Sequence, residues 1–364
     1  MLFFYLYFWP FEIATMRAKL LLIFFLLLIS VNALPQDSVQ SVPVPEYFCL
    51  YGKYSVDNSG VGVSVPDTDS ELGYESNAKL ASYLGFHYSW LGVEYAFLLP
   101  PDEINLYGKT RSSALNIHIG LKHWSVDLKD RNYKGYYLSN PDEFDSGWTD
   151  GTAYPQLPDL EVISTSFSLG YLFRPDKLYS NYIYSYKKVP VKSGGSWLMN
   201  GFFSATSVYS DSLIVPEAIR HYADPGVDYK SIQFVDYGVS IGYSYLWALS
   251  RRFFTSVTAL PGFSYQQAIE TSALDGKTTQ RNRISARFAF SLAFGYNTEK
   301  FYCGLISNAE SKSYGSELDV NFQKVGLQFV YRFDTSSWKF MKGVDKLMHP
   351  RFLRFALGEK PRRE

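Results

Sequence analysis

Long stretches of strict two-residue alternation constrain this chain more than any other feature. In Asn282–Asn297 the even positions carry apolar side chains that end in an aromatic, and the odd positions carry small, polar or cationic ones. A period of two places the two classes on opposite faces of a β-strand. Val235–Trp247, Phe253–Tyr265 and Val325–Phe333 repeat the pattern. A strand that crosses a membrane at a tilt near 45° needs about 9–11 residues, so each of these runs is long enough to cross one.

These strands predict an all-β fold, a transmembrane antiparallel up-and-down β-barrel with one lipid-facing and one lumen-facing side on every strand. The composition agrees, because 18% of the residues are aromatic, with 30 Tyr and 28 Phe, and barrels use such residues in girdles at both membrane interfaces. The mean hydropathy of −0.12 fits a barrel with a polar lumen. The alternative is an aromatic-rich soluble β-sandwich, in which the apolar faces would pack against each other.

The predicted barrel has about twelve strands, or fourteen when an earlier strand pair is included, and both numbers are even, as single-chain barrels require. The earlier pair is separated by the turn-like sequence Asp57–Gly60, and it either joins the wall or plugs the barrel. The pair comprises Tyr47–Val56 and Val61–Val65, and the twelve are Ala78–Tyr88, Leu91–Leu99, Ser113–Leu121, His123–Leu138, Glu161–Phe173, Leu178–Lys188, Ser196–Ser210, the four runs above and Phe301–Ser307.

Two long predicted loops fall at opposite ends of the predicted barrel, although long loops are expected at the same end. If the last strand ends at the periplasm, counting strands backwards puts Asp211–Phe234 outside the cell but Ser139–Leu160 inside. Long loops of such barrels face the outside. Either the first loop is periplasmic, or one strand between Phe173 and Asp211 is miscounted.

The N-terminus resembles a secretion signal. Met16–Lys19 is basic, Leu20–Ile29 is apolar, and Val31–Ala33 offers small residues for cleavage, which is the order that an exported precursor shows. We therefore predict a leader over residues 1–33 with Met16 as the true start. The alternative is one long, unusual hydrophobic leader. Export together with two-faced strands predicts the cell outer membrane as the location.

The rest of the chain divides into three predicted parts. Residues 34–77 form a lead-in with the first strand pair, residues 78–333 form the barrel, and residues 334–364 form a tail. The tail carries eight basic residues among aromatic and aliphatic ones. Such a basic amphipathic segment either lies on an anionic membrane surface or is simply solvated.

Several side chains that could transfer protons or bind ions lie on the polar faces of the strands. They are therefore predicted to meet in the lumen. They could form an acid–base site or bind a solute, or they could be a hydrogen-bonded network that supports the wall. The many Gly, Ala and Ser residues on the same faces predict a crowded interior rather than a wide pore. The candidate residues are His87, Glu94, Asn116, His118, Asp236, Arg283 and Arg287.

The sequence carries no convincing catalytic, cofactor or metal motif. Gly238–Gly242 matches the G-x-S-x-G pattern around Ser240, but it lies within an unbroken strand instead of a strand-to-helix turn. Ser185–Lys188 is an equally weak match to S-x-x-K. Cys49 and Cys303 are far apart in sequence, form no metal-ligand cluster, and leave a disulfide open. With 35 basic and 35 acidic residues, nothing favours a nucleic-acid partner.

The last predicted strand resembles the C-terminal β-signal of outer-membrane barrels. Lys324, Gly326, Phe329, Tyr331 and Phe333 fit its polar, glycine, hydrophobic and aromatic positions. The resemblance implies insertion by the barrel-assembly machinery and contact with outer-membrane lipid. The signal usually closes the chain, whereas here a tail follows Phe333.

A wider resemblance covers most of the chain. Lys134–Leu138, Gly170–Phe173, and Ser193–Ser196 followed by Asp211–Pro216 are similar to the domain-of-unknown-function family DUF4421. The resemblance implies an exported outer-membrane barrel, and it brings no activity.

The predicted function is therefore a non-enzymatic outer-membrane barrel, structural or solute-passing, with no cofactor. The alternative is an outer-membrane enzyme that acts on lipid or glycan, with His87, Glu94 or His118 in its site. The oligomeric state stays open.

Overall fold

The structure of the protein is a computed structural model. The structure describes residues 41–43, 47–64, 71–77, 80–98, 103–144, 147–149, 151–178, 188–190, 192–211, 229–272, 276–314, 318–335 and 337–348. The strands in chain order are β1 Ser41–Pro43, β2 Tyr47–Ser64, β3 Glu71–Ser76, β4 Ala81–Tyr88, β5 Leu91–Leu98, β6 Arg111–Gly120, β7 Trp124–Leu138, β8 Gln156–Leu172, β9 Lys188–Pro190, β10 Gly194–Tyr209, β11 Tyr229–Ala248, β12 Phe253–Ser272, β13 Thr278–Asn297, β14 Phe301–Tyr314 and β15 Leu318–Asp334. Two short α-helices, α1 Ile104–Tyr107 and α2 Met341–Met348, and a 3₁₀ turn at Pro141–Glu143 complete the described elements.

Twelve of these strands form one closed antiparallel wall. The hydrogen-bonded order runs β2, β4, β5, β6, β7, β8, β10 and on to β15. β15 then pairs with β2 from Leu318 opposite Val63 to Asp334 opposite Tyr47, which closes the ring. Closure leaves the wall without an unpaired strand edge. The predicted barrel is therefore confirmed, and the sandwich alternative is wrong because the wall strands form a single closed sheet. β1 and β9 form a separate two-stranded sheet.

The number twelve is right, but two predicted strand assignments are wrong. Residues 57–60 continue β2 without a turn, so the supposed first pair is a single wall strand. β8 and β10 pair directly, from Leu172 opposite Leu198 to Glu161 opposite Tyr209. No strand lies between β8 and β10 in the wall, so the order that placed Leu178–Lys188 between them is wrong. Residues 179–187 of that predicted strand lie outside the described ranges.

The corrected strand order places the two long loops at the same end of the barrel. With β8 beside β10, residues 139–155 and 210–228 connect strands at the same end as residues 315–317. We call this the loop end. The opposite end, the turn end, holds the short turns at residues 89–90, 121–123 and 298–300. Both long loops therefore lie at one end, and the miscounted strand explains the disagreement in the sequence prediction.

The wall narrows from twelve strands to ten towards the loop end. β4, β5 and β6 have only 8, 8 and 10 residues, whereas their neighbours β2 and β7 have 18 and 15. Above the three short strands, β3 alone bridges the gap, because it pairs with the end of β2 and with the end of β7. One strand thus replaces three, which makes the loop end the narrower part of the barrel.

Buried polar contacts hold the level at which the wall narrows. The backbone N–H of Ser59 donates to Ser76 Oγ at 3.1 Å, and the hydroxyls of Ser59 and Tyr136 are 2.8 Å apart. Asn77 Nδ2 donates to the carbonyl of Gly108 at 2.8 Å. Gly135 forms a bulge in β7 with φ of +92°, and a Cβ there would lie 2.2 Å from the carbonyl oxygen of Lys109.

The outside of the wall is an apolar belt bounded by aromatic rings. At the turn end, ring contacts such as Trp124–Tyr171 at 4.8 Å and Tyr331–Phe333 at 4.7 Å run around the barrel. On β11, Trp247 and Tyr237 lie ten residues apart on the outer face. At roughly 3.4 Å per residue and a tilt near 45°, this spacing spans about 25 Å, the height of a membrane belt.

Inward-facing apolar side chains form a cluster towards each end of the lumen. The loop-end cluster contains seventeen described residues from eight strands, including Val61, Val162 and Phe322. The turn-end cluster contains eight, including Leu172, Leu246 and Leu178. Leu178 comes from the connection between β8 and β10 rather than from the wall. Between the two clusters the lumen is polar.

Cys49 and Cys303 are not joined by a disulfide. Beyond β15, Trp338 packs on Phe333 with ring centroids 6.2 Å apart, and Trp90 Nε1 donates to the carbonyl of Met348 at 2.6 Å. No helix within the described ranges is long and apolar enough to span a membrane. The predicted leader and residues 349–364 lie outside the described ranges.

Candidate functional site

The candidate site is the polar part of the lumen between the two apolar clusters, which we call the chamber. It contains two cavities, with volumes of about 190 and 130 Å³. Both cavities contact His118, Asp127, Lys129, Ser291 and Glu310, so these side chains form the wall between them. All five alternate to the inner face of their strands.

An ion pair crosses the full width of the chamber. Glu310 on β14 accepts from Arg131 on β7, with Oε2 and Nη1 3.3 Å apart. β14 and β7 are six strands apart in either direction around the ring, so they lie on opposite sides of the barrel. Glu310 also pairs with Arg287, whose other Nη lies 3.2 Å from Asp236. These contacts reduce the open cross-section of the lumen at this level.

Hydroxyl groups and aromatic rings extend the crossing network. Lys312 Nζ donates to Ser164 Oγ at 3.0 Å and to Ser204 Oγ at 2.9 Å. Ser204 Oγ in turn donates to Asp236 at 2.8 Å. The Arg287 guanidinium lies 4.0 Å from the ring centroid of Phe202, at which distance cation–π attraction adds to the ion pairs.

A second polar group lines the smaller cavity. Glu94 pairs with Lys53 and accepts a hydrogen bond from Asn116 Nδ2 at 2.9 Å. Tyr83 donates its hydroxyl hydrogen to Asp57. The ammonium of Lys324 lies 3.6 Å from the Tyr83 ring centroid and 3.9 Å from the Asp57 carboxylate.

His118 and Asp127 form an acid–base pair in the wall between the cavities. Nδ1 of His118 and Oδ1 of Asp127 are 2.6 Å apart, on the neighbouring strands β6 and β7. A histidine oriented by a carboxylate can accept and release a proton. Within the described residues, no group of three or more His, Cys, Asp or Glu side chains could hold a metal ion.

The seven lumen candidates separate into several places. Glu94 and Asn116 meet, Asp236 and Arg287 meet, and His118 pairs with a residue outside the predicted set. His87 is buried near the turn end, opposite Cys49. Arg283 lies towards the loop end, opposite Gln266, and neither cavity contacts His87 or Arg283.

Much of the network was missing from the sequence prediction. Asp127, Lys129 and Arg131 occupy alternate positions of β7, in register with the polar face of the neighbouring strands, and this spacing could have identified them. Glu310 and Lys312 were missed because the predicted strand stopped at Ser307, five residues before Lys312. Asp57 was missed because it was assigned to a turn at residues 57–60. Lys53 was missed because its strand was not firmly assigned to the wall.

The two weak catalytic motifs and the β-signal have clear positions. Ser240 is buried in the middle of β11 and lines the larger cavity, so the nucleophile-elbow geometry is absent there. Of the S-x-x-K match, only Lys188 is described. In the β-signal, Lys324 and Gly326 face the lumen, whereas Phe329 and Tyr331 are half-exposed on the outer belt and Phe333 stacks near Phe48.

A known family accounts for most of the chain. The family model described as Domain of unknown function (DUF4421) matches residues 36–333. The chain belongs to this family. The match confirms the resemblance drawn from the sequence and includes every strand of the DUF4421 barrel wall except the last residue of β15. No curated protein matches the chain.

Solved structures give distant similarities. The outer membrane protease OmpT from Escherichia coli has a TM-score of 0.37 at 9% identity, covering 82% of this chain and 99% of that protein. The toluene transporter TodX of P. putida has a TM-score of 0.33 at 8% identity, covering 79% and 91%. Neisserial surface protein A has a TM-score of 0.23 at 8% identity, covering 79% and 97%.

Proposed function

We propose that this DUF4421 protein is an exported outer-membrane barrel with a closed lumen, which serves as a structural or solute-holding wall protein and not as a general pore. The observation that carries the proposal is the Arg131–Glu310 pair across the lumen. The apolar clusters at both ends support it, since each would have to separate before a solute could pass.

The outer-membrane location is supported by the apolar belt. Phe263, Ile284, Ile241 and Leu84 expose more than half of their surface, on four different strands. Soluble monomers rarely expose apolar surface of this extent. We extend the proposal to the partners expected from the sequence: outer-membrane lipid against the belt, and the barrel-assembly machinery acting on the last strand.

The tail has a proposed place at the turn-end membrane surface. Trp338 stacks with Phe340 at 5.8 Å, and Phe340 is 66% exposed. Aromatic side chains next to basic residues favour the interface between lipid and water.

The test combines cell fractionation with planar-bilayer recording. We expect the full-length protein in the outer-membrane fraction, with a gel mobility that shifts on boiling, as a closed barrel gives. In bilayers we expect no stepwise conductance. A soluble periplasmic protein would contradict the location, and regular conductance steps would contradict the closed lumen.

The enzyme alternative rests on the His118–Asp127 pair in the cavity wall. The size of the cavity argues against a lipid or glycan substrate, because a cavity of about 150 Å³ holds a molecule of roughly the size of benzene. Phospholipid hydrolysis by the purified protein that disappears in His118→Asn would support the enzyme, and equal background rates for both proteins would exclude it.

A further inference from the structure

We propose that the chamber binds a short-chain carboxylate that carries hydroxyl groups, with Lys129 as the residue that holds the carboxylate. The proposal rests on the closed barrel proposed above, and it adds a ligand class to that barrel.

The charges around the two cavities do not balance. With His118 counted as neutral, five cationic side chains and four carboxylates line them. Adding Asp236 and Lys312, which bond to this network, leaves the same surplus of one positive charge. The cations are Lys53, Lys129, Arg131, Arg287 and Lys324, and the carboxylates are Asp57, Glu94, Asp127 and Glu310.

Lys129 is the cation that is available to a ligand. Each of the four carboxylates forms an ion pair or hydrogen bond with another side chain: Lys53, Lys324, His118 or an arginine. Lys129 faces both cavities and forms no ion pair or hydrogen bond within the described part of the chain, although Asp127 and Glu310 interact with it electrostatically. Its N–H donors are therefore available, and one bound monoanion would compensate the surplus positive charge of the chamber, which is unfavourable in a partly buried site.

The larger cavity also presents hydroxyl groups that lack partners in the described structure. Ser256 is 2% exposed, and its Oγ is buried without a hydrogen bond. A buried hydroxyl without a partner is costly. Four more serines line the same cavity and form no side-chain hydrogen bond among the described residues: Ser125, Ser166, Ser168 and Ser240. These groups could bond to hydroxyls of a ligand, which separates the proposed class from simple fatty acids.

The volume limits the length of the ligand. The larger cavity has about 190 Å³, and a cavity of roughly 150 Å³ accepts benzene. A hydroxylated carboxylate of three or four carbons therefore fits, whereas a disaccharide or a long acyl chain does not.

The test is calorimetric titration of the full-length protein in detergent with glycerate, glycerol and propionate. The three probes have three carbons each, and they separate the charge from the hydroxyl groups. We expect saturable binding of glycerate, binding at least tenfold weaker for propionate, and no binding of glycerol. Lys129→Gln should weaken glycerate binding at least tenfold, and Lys129→Arg, which keeps the charge, should weaken it less.

Lys122→Gln is the matched control, because it removes the same charge from an exposed position at the turn end. It should leave glycerate binding unchanged. Absence of saturable glycerate binding, or equal affinity in Lys129→Gln and the unchanged protein, would overturn the proposal. Equal affinity for propionate would refute the role of the hydroxyl groups. A protein that shifts in mobility on boiling but fails these titrations contradicts only the ligand, whereas one without the shift contradicts the barrel.

Discussion

Glu310 is the side chain on which opposite walls of the lumen meet. Its carboxylate accepts from Arg131 and from Arg287, and its side chain is 11% exposed. Both arginines would keep their charge if the carboxylate were removed, because guanidinium groups do not lose a proton in proteins.

We therefore expect Glu310→Gln to destabilise the barrel by about 3–5 kcal/mol, the usual cost of removing one partner of a buried ion pair. The measurement is the urea midpoint of unfolding in detergent micelles, followed by circular dichroism. Glu161→Gln is the control, since Glu161 pairs at 3.3 Å with a Lys134 that is 42% exposed. Such surface pairs contribute about 0–1 kcal/mol. Equal midpoints for both variants would show that the crossing pair does not hold the barrel.

Among the elements of the wall, the bulge in β7 lies where the pairing partner of β7 changes from the short strand β6 to β3. Gly135 has φ of +92°, and an added Cβ would lie 2.2 Å from the Lys109 carbonyl. Gly135→Ala should therefore cost at least about 1–3 kcal/mol through backbone strain, measured by the same urea midpoint. Gly201→Ala is the control, because nothing lies within 4 Å of a Cβ there. A Gly135→Ala protein as stable as Gly201→Ala would show that the bulge is not required.

The β2–β3 hairpin at the loop end should respond to pH. Partial burial of the carboxyl group, with the neighbouring carboxylates of Asp319 and Glu143, raises the pKa of Glu71 above its usual value. The folded state thus holds the proton more tightly than the unfolded state, so stability falls as the pH rises from the ordinary glutamate pKa through the raised one.

We expect the β3 amides to exchange hydrogen more slowly just below the raised pKa of Glu71 than at neutral pH, after correction for intrinsic exchange rates. In Glu71→Gln this difference should shrink, because the titrating group is gone. An unchanged difference in the variant would assign the pH response to another residue.

The sequence predicted the wall better than it predicted the interior. Alternation identifies strands such as β13 because lipid on one side and a polar lumen on the other impose unlike faces. It failed at residues 57–60, whose Asp-Asn-Ser-Gly sequence favours a turn in isolation, whereas pairing with β15 keeps them extended. It failed again in placing Leu178–Lys188 as a wall strand between β8 and β10, which pair directly with each other.

The interior depends on contacts between strands that are distant in sequence. Arg131 and Glu310 are 179 residues apart, and no local pattern shows that they meet. Their meeting follows from the ring size, because only in a twelve-strand wall are β7 and β14 opposite each other. The places of His87 and Arg283 outside the chamber follow similarly from strand register, which alternation leaves undetermined.

The apolar clusters at the two ends of the lumen differ in size. Seventeen described side chains form the loop-end cluster and eight the turn-end cluster. Leu178 belongs to the thinner cluster and is 4% exposed. It reaches the lumen from a connection, so it can leave without breaking the wall.

We expect Leu178→Ala to open the chamber to small reagents. The reporter is the thiol of Ser240→Cys in a protein that also carries Cys49→Ser and Cys303→Ser. With Leu178→Ala added, this thiol should react with a small methanethiosulfonate about tenfold faster or more. A decrease of about 1.4 kcal/mol in the free energy of opening corresponds to a tenfold faster reaction. Leu157→Ala, in the loop-end cluster, should leave the rate nearly unchanged. A faster reaction in Leu157→Ala only would place the opening at the loop end.

The narrowing from twelve strands to ten makes the loop end narrower than the turn end, and the loop end also holds the larger apolar cluster. The ligand proposed above would therefore exchange through the wider turn end. Its occupancy would follow the concentration on that side of the membrane, and no net transfer across the membrane would result. Occupancy would also be coupled to the free energy of unfolding, because a ligand bound only to the folded state stabilises it in proportion to the logarithm of ligand excess. The proposed ligand would therefore make the barrel more resistant to unfolding when the chamber is occupied.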